Sequence, residues 1–409
     1  MNNNKTLKLV DHGISIALIL MAAFPIMPNN LKNIGFIVLL CFSLTKYVVF
    51  EKKKPKIKAF FINASLYLVY LLSLFYTDAF GIASQKLDTA ITLAIFPFIF
   101  FILRPLDNKK FHVKRFAPIY YISSVVYSLV VITNLFYNYG IQLYSDSWFI
   151  RNTIIEIPLI RQHPIYASLI ISLGILFSFP FFAKKNKGYI KVLVALVNLL
   201  LIIVLVSLAS KGVIIALVFA SIVYIFLNME RKKAKAISII IIIASFIISV
   251  FYFPPFVQRF KDLKELGKLE IKLNKYSSTS IRKGIYYCST EKIKDNWLFG
   301  YGIGDVQLAL NDCYKTIDDG IFNKFDYNSH NQYLGVLLTT GVFGLFALLL
   351  MLASNLHLAI TNKDWVFLSI LVLFIVSFLT ENILERQSGV VLFSFLLSFF
   401  GSRYSDNLK

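Results

Sequence analysis

Long apolar runs constrain this 409-residue chain more than anything else in it. Blocks rich in Leu, Ile, Val and Phe recur along it, and most have the length of about 20 residues that a helix needs to cross hydrocarbon. A helix satisfies its own backbone groups, so such blocks are stable in lipid as helices. A β-barrel would alternate apolar and polar residues in short segments, and none do. Twelve spans are expected, at 13–28, 34–50, 59–77, 89–104, 117–137, 164–182, 189–209, 212–229, 237–254, 333–354, 365–380 and 388–402. The predicted fold is an all-α, polytopic transmembrane helical bundle. The first block lacks an Ala-x-Ala type cleavage site and reads as a retained span.

The formal net charge of +20 could suggest nucleic acid, but its distribution excludes that reading. The basic residues cluster between spans: EKKKPKIK (51–58), RPLDNKKFHVKR (104–115), KKNKG (184–188) and ERKKAK (230–235). Each cluster follows an even-numbered span, so the positive-inside rule puts these linkers and both termini in the cytoplasm. Residues 189–229 are apolar except at Ser210-Lys211-Gly212 and have basic clusters at both ends. They must cross twice, which places Lys211 at the external tip of a hairpin, with Gly212 expected to make the turn. Left mid-membrane, the lysine would cost roughly 2.5–3.5 kcal/mol.

The parity divides the chain into spans 1–9 (1–253), a long periplasmic loop (254–332) and spans 10–12 with a short cytoplasmic tail (333–409). In the loop, Pro254-Pro255 should stop the ninth span. Phe260, Leu263, Leu266 and Leu269 follow at helical spacing, so a short interfacial helix is expected there. Cys288 and Cys313 lie in the same loop and can form a disulfide or remain two thiols. Cys41, within a span, reads as a small core residue. Lys46 should snorkel from a cytoplasmic span end. The run Gly300-Tyr301-Gly302-Ile303-Gly304 follows no strand and reads as a turn, not a phosphate cradle.

The spans carry almost no charge, which argues against an ion-coupled transporter, and no Gly-x4-Gly-Lys-[Ser/Thr] loop is present to drive a pump. Polar groups gather instead at the external ends: Lys86, Arg161, His163, Lys211, Arg282, Lys283, His330, Asn331, Glu381 and Arg386. Of the five histidines, His12, His112 and His357 fall on the cytoplasmic side and read as solvated. Taken singly, a cation at a helix end is commonly an interfacial anchor, and a histidine at a helix start is commonly a cap. Together they suit an anionic, lipid-linked substrate. Arg and Lys would hold a diphosphate, and a histidine would take a proton from a hydroxyl near neutral pH. No Asp-x-Asp motif and no external carboxylate cluster with metal-ligand spacing accompanies them.

Four stretches carry a family resemblance: SSTSIRKGIYYCSTEKIKDNWLFGYGIGDVQLAL (277–310), SHNQYLGVLLTTGVFGLFALLLML (329–352), LASKGVIIALV (208–218) and TENILERQSGVVLFSFLLSFF (380–400). They resemble the loop arginine followed by Leu-Phe-Gly-x-Gly-x-Gly, the His-Asn-x-x-Leu span start, the Ser-Arg-Gly hairpin tip and the last span junction of the O-antigen ligase/polymerase superfamily. The resemblance implies a metal-independent, inverting glycosyltransferase of the bacterial inner membrane, with no cofactor. Its donor would be a glycan on undecaprenyl diphosphate, and its site would face the periplasm.

Carried over by position, His330 is the implied general base and Arg282 the diphosphate-binding arginine. Lys211 takes the place of the hairpin-tip arginine, keeping the charge but losing the bidentate fork. Lys86, in ASQKLDTAITLAIFP, matches a basic residue near the fourth span. Arg161 and His163, in LIRQHPIYASL, are secondary candidates, and Asn331 accompanies His330. Ligation of O-antigen to lipid A-core is the leading implied reaction. An O-antigen or exopolysaccharide polymerase and a protein O-oligosaccharyltransferase differ from it chiefly in the acceptor: lipid A-core, glycan or protein. The competing class, a lipid-linked oligosaccharide flippase, would require charges within the spans and would tolerate loss of His330.

Overall fold

The computed structural model describes residues 2–28, 31–50, 53–106, 109–140, 147–182, 186–252, 278–317, 322 and 326–404. The described residues form helices and no strand. In chain order they are α1 (Asn2–Ala22), α2 (Lys32–Thr45), α3 (Ile57–Leu72), α4 (Phe80–Ala90), α5 (Thr92–Pro97), α6 (Lys109–Tyr139), α7 (Ser147–Glu156) and α8 (Pro164–Ser178). There follow α9 (Gly188–Ser207), α10 (Lys211–Asn228), α11 (Lys232–Tyr252), α12 (Ser278–Asp295), α13 (Val306–Ile317), α14 (Gln332–Thr361), α15 (Trp365–Phe378) and α16 (Gln387–Gly401).

Among the described residues, nine helical stretches are long and apolar enough to cross a membrane, and α15 and α16 are shorter apolar helices. With α1, these correspond one to one with the twelve expected spans. The protein is an all-α, polytopic helical bundle. Several boundaries move. The first helix begins at Asn2 and takes in Lys5, Lys8 and Asp11. The fourth span's helix begins at Phe80 and so includes Lys86. The tenth runs on to Thr361. The expected interfacial helix around Phe260–Leu269 lies outside the described residues.

The chain forms two compact units. One comprises Met1–Pro55, Ile102–Arg259 and Asn362–Leu373, and the other Lys56–Phe101, Phe260–Thr361 and Phe374–Lys409. In the first, α6 and α8 pack closely through small residues: a Cβ on Gly174 would lie 2.6 Å from that of Ser124. Close backbone approach of this kind is how helices gain contact where lipid supplies no hydrophobic drive. Lys46 does not snorkel. Its side chain is 3% exposed and pairs with Asp11 at 2.9 Å and with the Pro105 carbonyl at 3.1 Å, because a partner on α1 relieves the cost of burying the ammonium. Cys41 is exposed on its span and not in the core. At the hairpin tip the left-handed residue is Ala209 (φ 49°). Gly212 is already helical, so the turn falls one step earlier than its glycine suggests.

In the second unit the governing feature is a break in α14. Thr340 (φ −135°, ψ 18°) and Gly341 (φ 61°, ψ −156°) leave the helical region. Residues 342–361 alone are about long enough to cross the hydrocarbon. The break frees carbonyls, and the turn 296–304 answers them: Tyr301 N–H donates to Leu338 O and Gly302 N–H to Thr339 O, both at 2.8 Å, and Val342 N–H to Trp297 O at 3.1 Å. The other turn amides are also taken. Gly300 N–H reaches Asn296 O, Ile303 N–H the Ser73 hydroxyl, and Gly304 N–H the Thr77 hydroxyl. With every amide from 300 to 304 bonded within the protein, this segment is a docking turn and has no amide left for a phosphate. Its glycines permit backbone-to-backbone approach. Cys288 on α12 and Cys313 on α13 are joined as a disulfide, within a core of Ile285, Leu310, Tyr314, Phe322 and Leu338.

A Cβ on Gly341 would overlap the Leu298 carbonyl at a φ that L-residues avoid, whereas one on Gly81 meets nothing within 4 Å. Gly341→Ala should therefore destabilise the protein by about 2 kcal/mol or more, and Gly81→Ala should leave it unchanged. Thermal unfolding in detergent would show the difference; equal melting temperatures would contradict the docking.

Candidate active site

The segment before α14 reads Asn328-Ser329-His330-Asn331-Gln332, and each side chain has a defined partner. Asn328 Oδ1 accepts from the His330 N–H at 3.0 Å, closing a tight Asx turn. Ser329 is buried and shares hydrogen bonds with the Asn382 amide. Asn331 Oδ1 accepts from the Tyr333 and Leu334 amides, capping α14. Gln332 Oε1 accepts from Leu384 N–H at 2.7 Å. Four polar side chains are thus spent on fastening this corner to residues 379–385, and the fifth is presented by it. His330 has φ 44°, a left-handed conformation that only a few non-glycine residues adopt and that surrounding bonds must hold in place.

The His330 Nδ1 lies 3.2 Å from Glu381 Oε2, and the other oxygen of Glu381 accepts from Arg282 Nη2 at 2.6 Å. The Glu381 side chain is 12% exposed, against 34% for Arg282 and 28% for His330. Burial by itself would raise the Glu381 pKa. The hydrogen bond from His330 and the charge of Arg282 outweigh that and hold the carboxyl below its ordinary value. An ionised carboxylate can only accept, so Nδ1 carries the imidazole proton and Nε2 is left as the basic nitrogen. Arg282 and Tyr286 lie one turn apart on α12, and Tyr286 packs beside the buried core that holds Ile285 and Cys288. Tyr286 OH lies 3.5 Å from the His330 carbonyl.

Residues 196–349 match the family model described as O-antigen ligase. This segment is similar to an O-antigen ligase domain. It contains Lys211, Arg282, His330 and Asn331 and ends before Glu381. The match supports the O-antigen ligase/polymerase superfamily and indicates a membrane glycosyltransferase of the O-antigen ligase family, in a multi-pass bacterial membrane protein. Among curated proteins, none matches the chain.

Within the second unit, the structure joins Arg282 and His330 through Glu381. Asn331, expected at the substrate, is occupied as a helix cap. Lys86 lies within electrostatic range of Glu385 and Asp305. Asp305 itself accepts from the Asp78 and Ala79 amides and from the Thr77 hydroxyl. Those bonds and Lys86 prevail over burial and hold the Asp305 carboxyl low. Among the described residues no group of three His, Cys, Asp or Glu side chains is placed to hold a metal.

Lys211, Arg161 and His163 belong to the first unit. Lys211 opens α10, Arg161 is exposed, and His163 is the N-cap of α8, its Nδ1 accepting from the Ile165 amide at 3.4 Å. Two charged groups with defined partners did not stand out in the sequence. Glu381 appears there only as one polar residue among many, because nothing local pairs it with a histidine 51 positions away. Arg151 donates to the Leu208 carbonyl at 2.8 Å but lies mid-linker, where no span end draws notice.

The sign of the Glu381 shift gives a pH dependence. A carboxyl held below its unfolded value adds stability that is present above the ordinary value of 4.5 and lost as pH falls through the lower folded pKa. The melting temperature should fall more steeply with acidification below about pH 4.5 in the parent protein than in Glu381→Gln. Parallel curves would contradict the pairing.

Proposed function

We propose that this protein transfers a glycan from undecaprenyl diphosphate to an acceptor hydroxyl at the periplasmic face of the inner membrane, as an inverting, metal-independent glycosyltransferase. The observation that carries the reading is the His330–Glu381–Arg282 chain. The acceptor hydroxyl gives its proton to His330 Nε2 as its oxygen attacks the anomeric carbon. The new carbon–oxygen bond forms opposite the breaking bond to diphosphate, which inverts the centre. Glu381, bonded to Nδ1, fixes the ring and stabilises the imidazolium that forms.

The diphosphate leaves with its bonding pair, and cationic donors stabilise it as charge develops. Arg282 spends one nitrogen on Glu381, and its planar fork has further donors of the kind that bind phosphate. Lys211 and Lys86 are the additional cations of the reading. The disulfide between Cys288 and Cys313 supports the periplasmic assignment, since such bonds persist in oxidising compartments. O-antigen ligation to lipid A-core is the specific reaction we assign. Lipid A-core receiving glycan from the lipid-linked donor in reconstituted membranes supports it, and transfer only to a growing glycan or to a protein Ser or Thr overturns it.

His330→Ala should lower kcat by about 10²–10⁴-fold while donor binding survives; retained transfer would eliminate the base. Glu381→Gln should cost about 10–100-fold. Arg282→Ala should raise the donor KM, and Arg282→Lys should recover part of it. A membrane-impermeant thiol reagent should label a cysteine at position 330 and miss one at position 233; the reverse pattern would overturn the orientation.

A further inference from the structure

Two antiparallel spans of the second unit stop at the same level. α3 and its last turn run over Ile57–Tyr76, 20 residues that begin beside the basic linker 51–58. The unbroken part of α14, 342–361, has the same length and ends beside Asn362-Lys363-Asp364. The two pack together through Asn63 and Asn355 at 2.7 Å, and through the Ser65 hydroxyl, which donates to the Ala347 carbonyl at 3.2 Å. Each covers about 30 Å at the helical rise, the thickness of the hydrocarbon. Tyr76 and Val342 therefore mark one boundary, and both are tied to the turn 296–304. The Tyr76 hydroxyl donates to the Phe299 carbonyl at 2.8 Å, and the Val342 amide donates to the Trp297 carbonyl at 3.1 Å.

At that boundary the side chains are aromatic and face outward. Trp297, Phe299 and Phe343 are each about half exposed, and Phe75 is 89% exposed. The Phe299 and Phe343 rings lie 5.6 Å apart. Of the coverings open to such a patch (water, protein or lipid), lipid fits best on three counts. The patch continues the outward apolar surface of α14, where Phe346 and Leu349 are also exposed. Its level is the one at which both spans end. The carbonyls of Trp297, Phe299 and Gly300 are all bonded within the protein, the last by the Asn296 amide at 2.6 Å, so the turn can meet a poorly solvating layer at little cost. Trp and Tyr suit that layer because each joins an apolar body to one polar group.

We propose that Trp297, Phe299, Phe75, Tyr76 and Phe343 form an aromatic collar seated in the interfacial layer of the bilayer, on the side of the candidate site, and that the turn 296–304 thereby anchors α12 to the membrane. The occupant is the boundary between lipid headgroups and acyl chains. α12 leads back from this anchor to Arg282, and the first part of α14 leads back beside it to His330, so the collar sets the depth of both. The inference does not depend on the transfer reading and holds for any chemistry performed at that corner.

The test reads tryptophan fluorescence of the full-length protein in phospholipid vesicles. Trp148→Phe with Trp365→Phe leaves Trp297 alone of the chain's three tryptophans. The quenchers are phosphatidylcholines brominated near the carbonyl end or near the methyl end of the acyl chain, and acrylamide in the water. Trp297 should lose more fluorescence to the shallow bromines than to the deep ones, and little to acrylamide. Two further positions calibrate the depth, each in the same background with Trp297→Phe. Phe346→Trp, about 6 Å deeper along α14, should be quenched most by the deep bromines. Tyr287→Trp, roughly 15 Å back along α12, should be quenched by acrylamide alone. Should the replacements at 148 and 365 impair folding, Trp297→Phe in the otherwise unchanged protein should remove the shallow-quenched component. Quenching of Trp297 by acrylamide and not by lipid would overturn the proposal, and is the result expected of a patch that faces water or a soluble partner. Protection from all three quenchers would overturn it too, and is the result expected if a second copy of the chain covers the patch.

Discussion

A backbone group buried in protein needs a partner, and that constraint orders the rest of the second unit. The helix broken at Thr340-Gly341 leaves carbonyls among buried residues, Leu338, Thr339 and Thr340, that must be met by protein. The turn 296–304 meets them with its own amides. That docking fixes the turn, which leads directly from the C-terminal end of α12, and α12 carries Arg282. The disulfide to α13 and the core around Tyr314 then hold the adjoining face of α12. The position of one arginine is thereby set by a chain of backbone hydrogen bonds that begins within a span helix.

On the opposite side of the site the same economy appears in side chains. Asn328, Ser329, Asn331 and Gln332 fasten the corner to 379–385, and the constrained backbone left between them belongs to His330. Glu381 closes the circuit by bonding to both the arginine and the histidine. A lone imidazole at a loop corner would rotate freely. Bonded to a buried carboxylate that is itself held by a guanidinium, it keeps one tautomer and one orientation.

Much of the fold was legible because apolar length and charge parity are periodic signals that survive in a single sequence. The twelve spans and the turn at 300–304 rest on local pattern, whereas the sequence leaves the two loop cysteines open between a disulfide and two thiols. What was not legible depends on contacts between distant segments. Lys46 reads as an interfacial lysine until Asp11, 35 positions away, is placed beside it. Gly212 looks like the hairpin's turn residue, yet Ala209 adopts the left-handed conformation, since the tip's geometry follows where α9 stops and not where a glycine is available. Glu381 could be seen as an external carboxylate, but its bonds to Arg282 and His330 appear only in the folded chain. His163 shows how the same residue type at a span end also serves local structure, since its ring nitrogen caps α8.

In the proposed transfer, the charge count of the triad gives a reason for a carboxylate beside an arginine that is to bind phosphate. Arg282 and Glu381 cancel before the acceptor's proton moves, so the donor arrives at a pair without a strong excess of charge. Taking the acceptor's proton makes His330 cationic, and the triad becomes net positive at the moment the diphosphate gains a full charge on its bridging oxygen. Attraction therefore grows along the reaction coordinate and is weaker in the ground state, which is the condition for accelerating chemistry instead of merely tightening binding. A second fixed cation in place of Glu381 would bind donor and departing diphosphate alike, whereas the carboxylate moderates the arginine until the histidine has taken the acceptor's proton.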